Sequence, residues 1–302
     1  MIHHIALIGY GEVGRILAED LAPQGLVLSV FDLKFGTAAG AQARLHAERL
    51  GVRVAVSHAD AVLGADLVFS AVTASQTVAV AQACSPGLQA GAFVLDFNSA
   101  SPGAKQQAAA VVDAAQGRYV EAAVMTSVPP YRIKVPLLLG GVHAATLLSL
   151  ITPFGFAGRV VSDQLGVASA TKMCRSVMVK GLEAMVIESF TTARHYGVED
   201  AVVASLQETF PGIDWEKQAA YFFQRVIEHG RRRSEEVQEA AVTVQAAGLT
   251  PWSARGTAQR QAFIAELADA GVFATRGEPG FARSADWRTE ADRLLIHTNT
   301  AK

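Results

Sequence analysis

Residues 4–14 read His-Ile-Ala-Leu-Ile-Gly-Tyr-Gly-Glu-Val-Gly, and this stretch decides the fold of the N-terminal half. An apolar run, Ile5 to Ile8, leads directly into Gly9, Gly11 and Gly14, and a helical pattern follows. This is the dinucleotide-binding fingerprint in the setting it requires, after a strand and opening a helix. Gly9 reads as the tight turn, Gly11 as the point where backbone approaches a pyrophosphate without a Cβ, and Gly14 as close helix–strand contact. Tyr10, Glu12 and Val13 fill the variable positions, and the N–H groups and positive dipole end of the helix would hold the phosphates. Asp32 closes the next apolar run, Leu26–Phe31, about 20 residues on, where a ribose 2′-hydroxyl would be read. The alternative is a glycine turn in an ordinary βα unit.

Outward from this stretch, short β-rich runs alternate with helical segments up to about residue 161. Strands are predicted over 4–9, 26–31, 52–56, 66–71, 92–96, 118–122, 135–139 and 158–161. Helices are predicted over 12–22, 38–50, 75–84, 102–115 and 143–151. Alternation of this kind predicts an α/β Rossmann fold, a doubly wound parallel sheet with helices on both faces. From 163 the texture is helical throughout. One long stretch runs over 163–196, with Asp163 as N-cap and Gly197 just past its end. Further helices are predicted over 199–208, 214–229, 232–247, 253–270 and 284–296, with Gly230 as one of the breaks. The organisation is a nucleotide-binding domain over 1–162 and an all-α domain over 163–302, linked by the long helix.

Composition narrows the class. The 302 residues carry a net charge of −2 and only 18% charged residues, which argues against nucleic acid or an anionic membrane surface as partner. No apolar run approaches a membrane span, and a strand starting within the first five residues leaves no room for a signal peptide. Two cysteines, Cys84 and Cys174, make neither a disulfide framework nor a metal site. A cytoplasmic enzyme without a metal is the expectation.

Three segments carry candidate chemistry. Asp96-Phe97-Asn98-Ser99-Ala100-Ser101-Pro102 is a strand end running into a helix, with Asn98 facing the crevice and Ser101-Pro102 as N-cap and first helical residue. Glu121-Ala122-Ala123-Val124-Met125-Thr126-Ser127-Val128-Pro129-Pro130 follows another strand, and its small hydroxyls suit a carboxylate-gripping loop or a plain connection. On the long helix, Lys172, Ser176 and Lys180 share one face at four-residue spacing. A partly buried Lys172 would have a lowered pKa and serve as a general acid or base; otherwise it is a surface lysine with a snorkelling stem.

These segments, in this order and spacing, resemble the β-hydroxyacid dehydrogenase superfamily, which includes 3-hydroxyisobutyrate, tartronate semialdehyde and 6-phosphogluconate dehydrogenases. Asp96 to Pro102 is similar to its Asp-x-Ser-Thr-x-x-Pro motif, with Asn98 where a substrate-contacting serine stands. Glu121 to Ser127 is similar to its Asp-x-Pro-Val-Ser-Gly-Gly loop, with Met125-Thr126-Ser127 in place of Ser-Gly-Gly. Gly166, Lys172 and position 176 are similar to its catalytic helix, with Ser176 for the usual asparagine and Arg175 beside it. The likeness is strongest to the branch labelled phosphogluconate dehydrogenase-like.

The resemblance implies hydride transfer between NAD(P) and the hydroxyl carbon of a small 3-hydroxyacid, with Lys172 as general acid/base and Asn98 beside it. It places the nicotinamide near Val72 and Thr73, and Thr126, Ser127, Arg175 and Ser176 around the substrate. Asp32 favours NAD by repelling a 2′-phosphate, while Lys34 keeps NADP as an alternative. The segment His229-Gly-Arg231-Arg232-Arg233-Ser-Glu235-Glu236 reads as a salt-bridged solvated face or as anion-binding residues lent to a partner chain. A homodimer through the helical domain is expected, because isolated amphipathic helices must cover their apolar faces. Two other functions compete. An imine reductase would reduce C=N, but such enzymes generally lack a lysine at the position of Lys172. A non-catalytic nucleotide-binding redox sensor would have no need of Lys172 and Asn98 together.

Overall fold

The computed structural model describes residues 1–278, 280–282 and 284–300. The described residues form eight strands and eleven α-helices, and the chain divides into two compact units, 1–173 and 174–302. The division falls inside the long helix, after the sequence boundary expected at 162/163.

In the first unit the strands are β1 (His4–Ile8), β2 (Val27–Phe31), β3 (Arg53–Val54), β4 (Leu67–Ser70), β5 (Phe93–Asp96), β6 (Arg118–Val124), β7 (Leu137–Gly140) and β8 (Gly158–Ser162). Their order in the sheet is β3-β2-β1-β4-β5-β6-β7-β8. The helices are α1 (Glu12–Leu21), α2 (Ala41–Arg49), α3 (His58–Val62), α4 (Thr77–Cys84), α5 (Pro102–Ala114), α6 (Ala144–Ile151) and the start of α7 (Val167–Tyr196). All eight predicted strands are present; α3 was not foreseen. The β1–β4 reversal of strand order makes a crevice at the carboxyl ends of those two strands, the usual ligand position of a doubly wound sheet.

Alternation along each central strand builds two cores. Ile5, Leu7, Leu67, Phe69, Phe93 and Leu95 face the core covered by α1 and α6, through Leu17, Leu21, Leu147 and Ile151. Ala6, Ile8, Val68 and Val94 face the other side, under α3, α4 and α5. Residues at two-residue spacing share a face of the pleat, so strands buried on both sides read as continuous apolar runs.

One pairing departs from the predicted parallel sheet. β6 and β7 run antiparallel, with Glu121 opposite Gly140 and Val124 opposite Leu137. The connecting residues 125–136 hold only a single short 3₁₀ turn, Arg132–Lys134, and no crossover helix, so the chain can only turn back beside β6. β8 then pairs parallel to β7.

The second unit contains the rest of α7, α8 (Glu199–Thr209), α9 (Trp215–Ala246), α10 (Trp252–Asp269) and α11 (Trp287–Thr300). Its core gathers Phe190, Trp215, Ala219, Phe222, Phe223, Val226, Ile227 and Trp287, so the apolar stripe of 215–227 is a packed face, as its spacing predicted. The break predicted at Gly230 is absent: α9 runs unbroken through it. A Cβ at Gly230 would lie 2.7 Å from the Gln261 carbonyl oxygen and 3.3 Å from Ala265 Cβ, so this glycine permits close approach of α10.

The long helix begins at Val167, not at Asp163, because Gly166 at φ +101° turns the chain immediately before it. At its far end Gly197 has φ +68°, the Val198 N–H donates to the Ala193 carbonyl (3.0 Å) and the Gly197 N–H to that of Arg194 (3.2 Å). That is a Schellman cap, which satisfies the last carbonyls.

Candidate active site

The turn after β1 is pressed against the turn after β4. Gly9 has φ +91°, and a Cβ there would fall 2.4 Å from the Ala71 carbonyl oxygen. A Cβ on Gly14 would fall 2.1 Å from the Gly9 carbonyl oxygen, so both glycines are required by packing. Gly11 is different: a Cβ there would meet nothing within 4 Å. That space opens at the N-terminus of α1, where no side chain caps the first N–H groups. A free helix end beside an open glycine fits a pyrophosphate. Tyr10 is buried, Val13 half-buried and Glu12 exposed in the first helical turn.

Asp32 stands at the end of β2, half-buried, and is oriented by main chain. Its Oδ2 accepts from the Tyr10 N–H (2.7 Å) and its Oδ1 from the Lys34 N–H (2.8 Å). Each oxygen retains a lone pair for a further donor. Lys34 is exposed.

Asn98 does not present its amide to the crevice. It is 3% exposed, its Oδ1 accepts from the Val72 N–H (2.7 Å) and its Nδ2 donates to Ser70 Oγ (3.0 Å). The side chain ties the ends of β4 and β5 together and thereby shapes the turn that carries Val72 and exposed Thr73. Below it, Asp96 is the hub of a buried network. Its carboxylate accepts from the Asn98 N–H (2.8 Å) and the Tyr119 hydroxyl (2.5 Å) and pairs with Lys105 Nζ at 3.0 Å. Burial, reinforced by the Asp96 charge, holds the Tyr119 phenol well above its ordinary range. A carboxylate buried this deeply is supported by a donor on each oxygen, with a cation on one of them.

Lys172 is half-buried at the end of the first unit and meets the residue after Asn98. Its Nζ donates to Ser99 Oγ at 2.6 Å. The helix that carries it is anchored by Glu121, in the middle of β6. Glu121 Oε1 accepts from the Gly166 (2.8 Å) and Ala168 (3.0 Å) N–H groups, and Oε2 from that of Ser169 (3.3 Å). Glu121 is fully buried and caps α7 from a neighbouring strand, satisfying the N–H groups that the helix cannot. Thr126 and Ser127 follow β6 at the carboxyl edge of the same sheet, exposed and half-buried respectively.

The other predicted residues belong to the second unit. Arg175 is exposed and Ser176 buried there. Lys180 is buried with its Nζ 2.6 Å from Glu236 Oε2; burial lowers its pKa, against the pull of that carboxylate. The three consecutive arginines of α9, Arg231 to Arg233, are each paired within the unit. Arg231 bonds Asp269, Arg232 bonds Glu236 (3.0 Å) and buried Arg233 bonds Glu183. Only the Arg232 pair lies within one helix at the expected spacing; the others join α9 to α10 and α7. Among the described residues, no cluster of His, Cys, Asp and Glu could hold a metal ion, and no helix is long and apolar enough to cross a membrane.

Ser99 and Glu121 are the residues that sequence reasoning undervalued. Ser99 sits beside a more conspicuous amide, and the contact of Glu121 with a helix 45 residues downstream leaves no local signal.

Comparison with known proteins agrees with this geometry. The family described as the NAD binding domain of 6-phosphogluconate dehydrogenase matches residues 4–144, and a domain of unknown function, DUF1932, matches residues 193–264. A conserved hypothetical protein of Sinorhizobium meliloti is 36% identical, with a TM-score of 0.74 over 98% of this chain and 97% of its own. An NAD-dependent L-serine dehydrogenase of Pseudomonas aeruginosa is 28% identical over 226 residues, covering 70% of this chain and 71% of its own. The 3-hydroxyisobutyrate dehydrogenase of Mycobacterium tuberculosis shares the fold, with a TM-score of 0.69 at 18% identity, over 97% of this chain and 99% of its own. Fold and glycine turn together define an NAD(P)-binding protein of the dehydrogenase type. The chain belongs to the β-hydroxyacid dehydrogenase superfamily.

Proposed function

We propose that the protein is an NAD(P)-dependent dehydrogenase that oxidises the hydroxyl of a small 3-hydroxyacid, or reduces the corresponding carbonyl. The observation that carries this reading is the Lys172–Ser99 contact, next to a strand end that Asn98 locks to Val72 in the turn after β4, the turn against which Gly9 packs. The L-serine dehydrogenase among the relatives acts on a molecule of this class, which supports the substrate assignment.

Gly9, Gly11, Gly14 and the first turn of α1 would hold the pyrophosphate, Asp32 the adenosine ribose, and Val72 and Thr73 would flank the nicotinamide. The bound cofactor supplies hydride acceptance and donation. Lys172 as the neutral amine takes the proton from the substrate hydroxyl in oxidation and, as the ammonium so formed, returns it in reduction. Ser99 Oγ holds its Nζ in place by accepting a hydrogen bond in either state. Thr126 and Ser127 grip the substrate carboxylate and carbinol. Asn98 acts through the backbone it positions. The carboxylate of Asp32 favours NAD over NADP.

A screen of small 3-hydroxyacids, L-serine and 3-hydroxyisobutyrate among them, with NAD⁺ and NADP⁺ tests this reading through the absorbance of reduced nicotinamide. Reduction of cyclic imines with no turnover of any hydroxyacid would replace it with C=N reduction. Dinucleotide binding without any turnover would point to a sensor.

The active species is proposed to be a cytoplasmic homodimer through the helical unit. Met178, Met185, Val242 and Trp252 are exposed apolar side chains there, between 52% and 79% accessible. An obligate two-fold interface over such faces would bury more than about 2,000 Å². Light scattering of a fully active monomer in dilute solution would overturn this.

A further inference from the structure

The loop between β6 and β7 is tied to the dinucleotide turn by side chains that the catalytic reading does not use. Residues 125–136 form a loop whose ends meet, the Met125 N–H donating to the Pro136 carbonyl at 3.2 Å. Thr126 and Ser127 lie at its start. Arg132 lies within it at φ +53°, in the left-handed region that a non-glycine residue occupies only when its surroundings over-determine it.

Those surroundings are the last turn of α1. Arg132 Nε donates to Asp20 Oδ1 (2.9 Å) and Nη2 to Glu19 Oε2 (2.6 Å), while the Ile133 N–H donates to Asp20 Oδ2 (3.1 Å). Two acids at the C-terminal end of a helix oppose its dipole, and α1 has no basic residue of its own in that turn. Arg132 supplies the missing cation from the loop, and it holds the Glu19 carboxyl below its ordinary range.

Glu19 then passes the anchor on. Its Oε1 lies 3.1 Å from His46 Nε2, and His46 Nδ1 lies 3.1 Å from the Tyr10 hydroxyl. With Glu19 ionised, a neutral imidazole donates from Nε2 and accepts the Tyr10 proton at Nδ1, so each partner fixes the next. Tyr10 is the residue between Gly9 and Gly11, and its own N–H holds Asp32. Burial, with the Glu19 charge second, pushes its phenol up to about 12, so the hydroxyl stays a donor.

We infer that Arg132 is the positioning residue of the β6–β7 loop and that Tyr10, His46 and Glu19 couple it to the dinucleotide turn. Filling the turn fixes Tyr10 and Asp32, and through them the loop that carries Thr126 and Ser127. Bound cofactor would therefore order the loop that carries Thr126 and Ser127. This rests on the NAD(P)-binding reading of the turn, but its first test needs no cofactor.

Hydrogen exchange of the loop amides, Tyr131, Arg132 and Lys134 among them, is measured in wild type, Tyr10→Phe, Arg132→Ala and Arg132→Lys, with and without NAD⁺ or NADP⁺. Dinucleotide affinity is followed by calorimetry. Without cofactor, Tyr10→Phe should exchange these amides about threefold faster than wild type and Arg132→Ala faster still, with Arg132→Lys between. Saturating dinucleotide should slow them about tenfold in wild type and much less in Tyr10→Phe, although that variant still binds it. Unchanged basal exchange in Tyr10→Phe, or an equal dinucleotide response in Tyr10→Phe and wild type, would overturn the coupling. Failure of wild type to bind either dinucleotide would instead defeat the cofactor reading and leave the basal comparison to decide the coupling.

Discussion

Lys172 Nζ donates to Ser99 Oγ at 2.6 Å, and Ser99 follows directly on Asn98, whose amide closes the turn after β4. The strand end thus has a division of labour: Asn98 holds backbone, and Ser99 holds the proposed acid/base. Lys172→Ala should lower kcat by about 10²-fold or more while NAD(P) affinity stays near wild type. Ser99→Ala, which removes one hydrogen bond to a cation, should cost about tenfold in kcat and shift the pH–rate profile. Steady-state kinetics beside cofactor titration checks both. Near-wild-type turnover in Lys172→Ala would remove the lysine from the mechanism.

Asp32 offers its remaining lone pairs where a ribose 2′-hydroxyl donates and a 2′-phosphate is repelled. Asp32→Ser, and the more conservative Asp32→Asn, should shift the NAD/NADP preference toward NADP by about tenfold or more, given a repulsion of a few kcal/mol between close like charges. Ratios of kcat/KM for the two cofactors measure it. A wild type that already uses NADP as well as NAD contradicts the assignment.

The cap that Glu121 places on α7 predicts a stability defect from a residue outside the reacting groups. Glu121→Ala removes three hydrogen bonds to buried N–H groups and should destabilise the fold by about 3 kcal/mol, with Glu121→Gln intermediate. Urea denaturation at constant m-value is the test, and an unchanged midpoint would show that the helix is capped otherwise.

Stability should also fall on acidification in two stages. Burial lowers the pKa values of His58 and His229 from 6.5, and arginine partners lower Glu19 and Glu216 from 4.5 and Asp292 from 3.8. In every case the unfolded chain takes up the proton first. The stabilising contribution is therefore complete above the ordinary value and is lost as pH falls through the lower folded value. Melting temperature should be flat above about pH 7, decline gently below 6.5 as unfolded histidines charge, and drop more steeply below about pH 4.5. A melting temperature that rises between pH 7 and pH 5 would contradict the buried neutral state of the histidines.

Much of this molecule is decided by local pattern. The fingerprint of residues 4–14, the acid at 32 and the two-residue and 3.6-residue apolar periods specify eight strands and the packed face of 215–227, because these signals act over a few neighbouring residues. Tertiary contact decided what depends on partners distant in sequence. Gly230 reads locally as a break, yet α9 passes through it, since α10 needs the space its missing Cβ leaves. β7 pairs antiparallel because no crossover helix fits in 125–136. Asn98 turned inward to bond Val72 and Ser70, which left Ser99 for Lys172. Glu121 reads as part of a loop motif, but its carboxylate ended at the N-terminus of α7. In each of these cases a polar group or a backbone surface must be satisfied by something far along the chain, and only the folded arrangement says which residue arrives there.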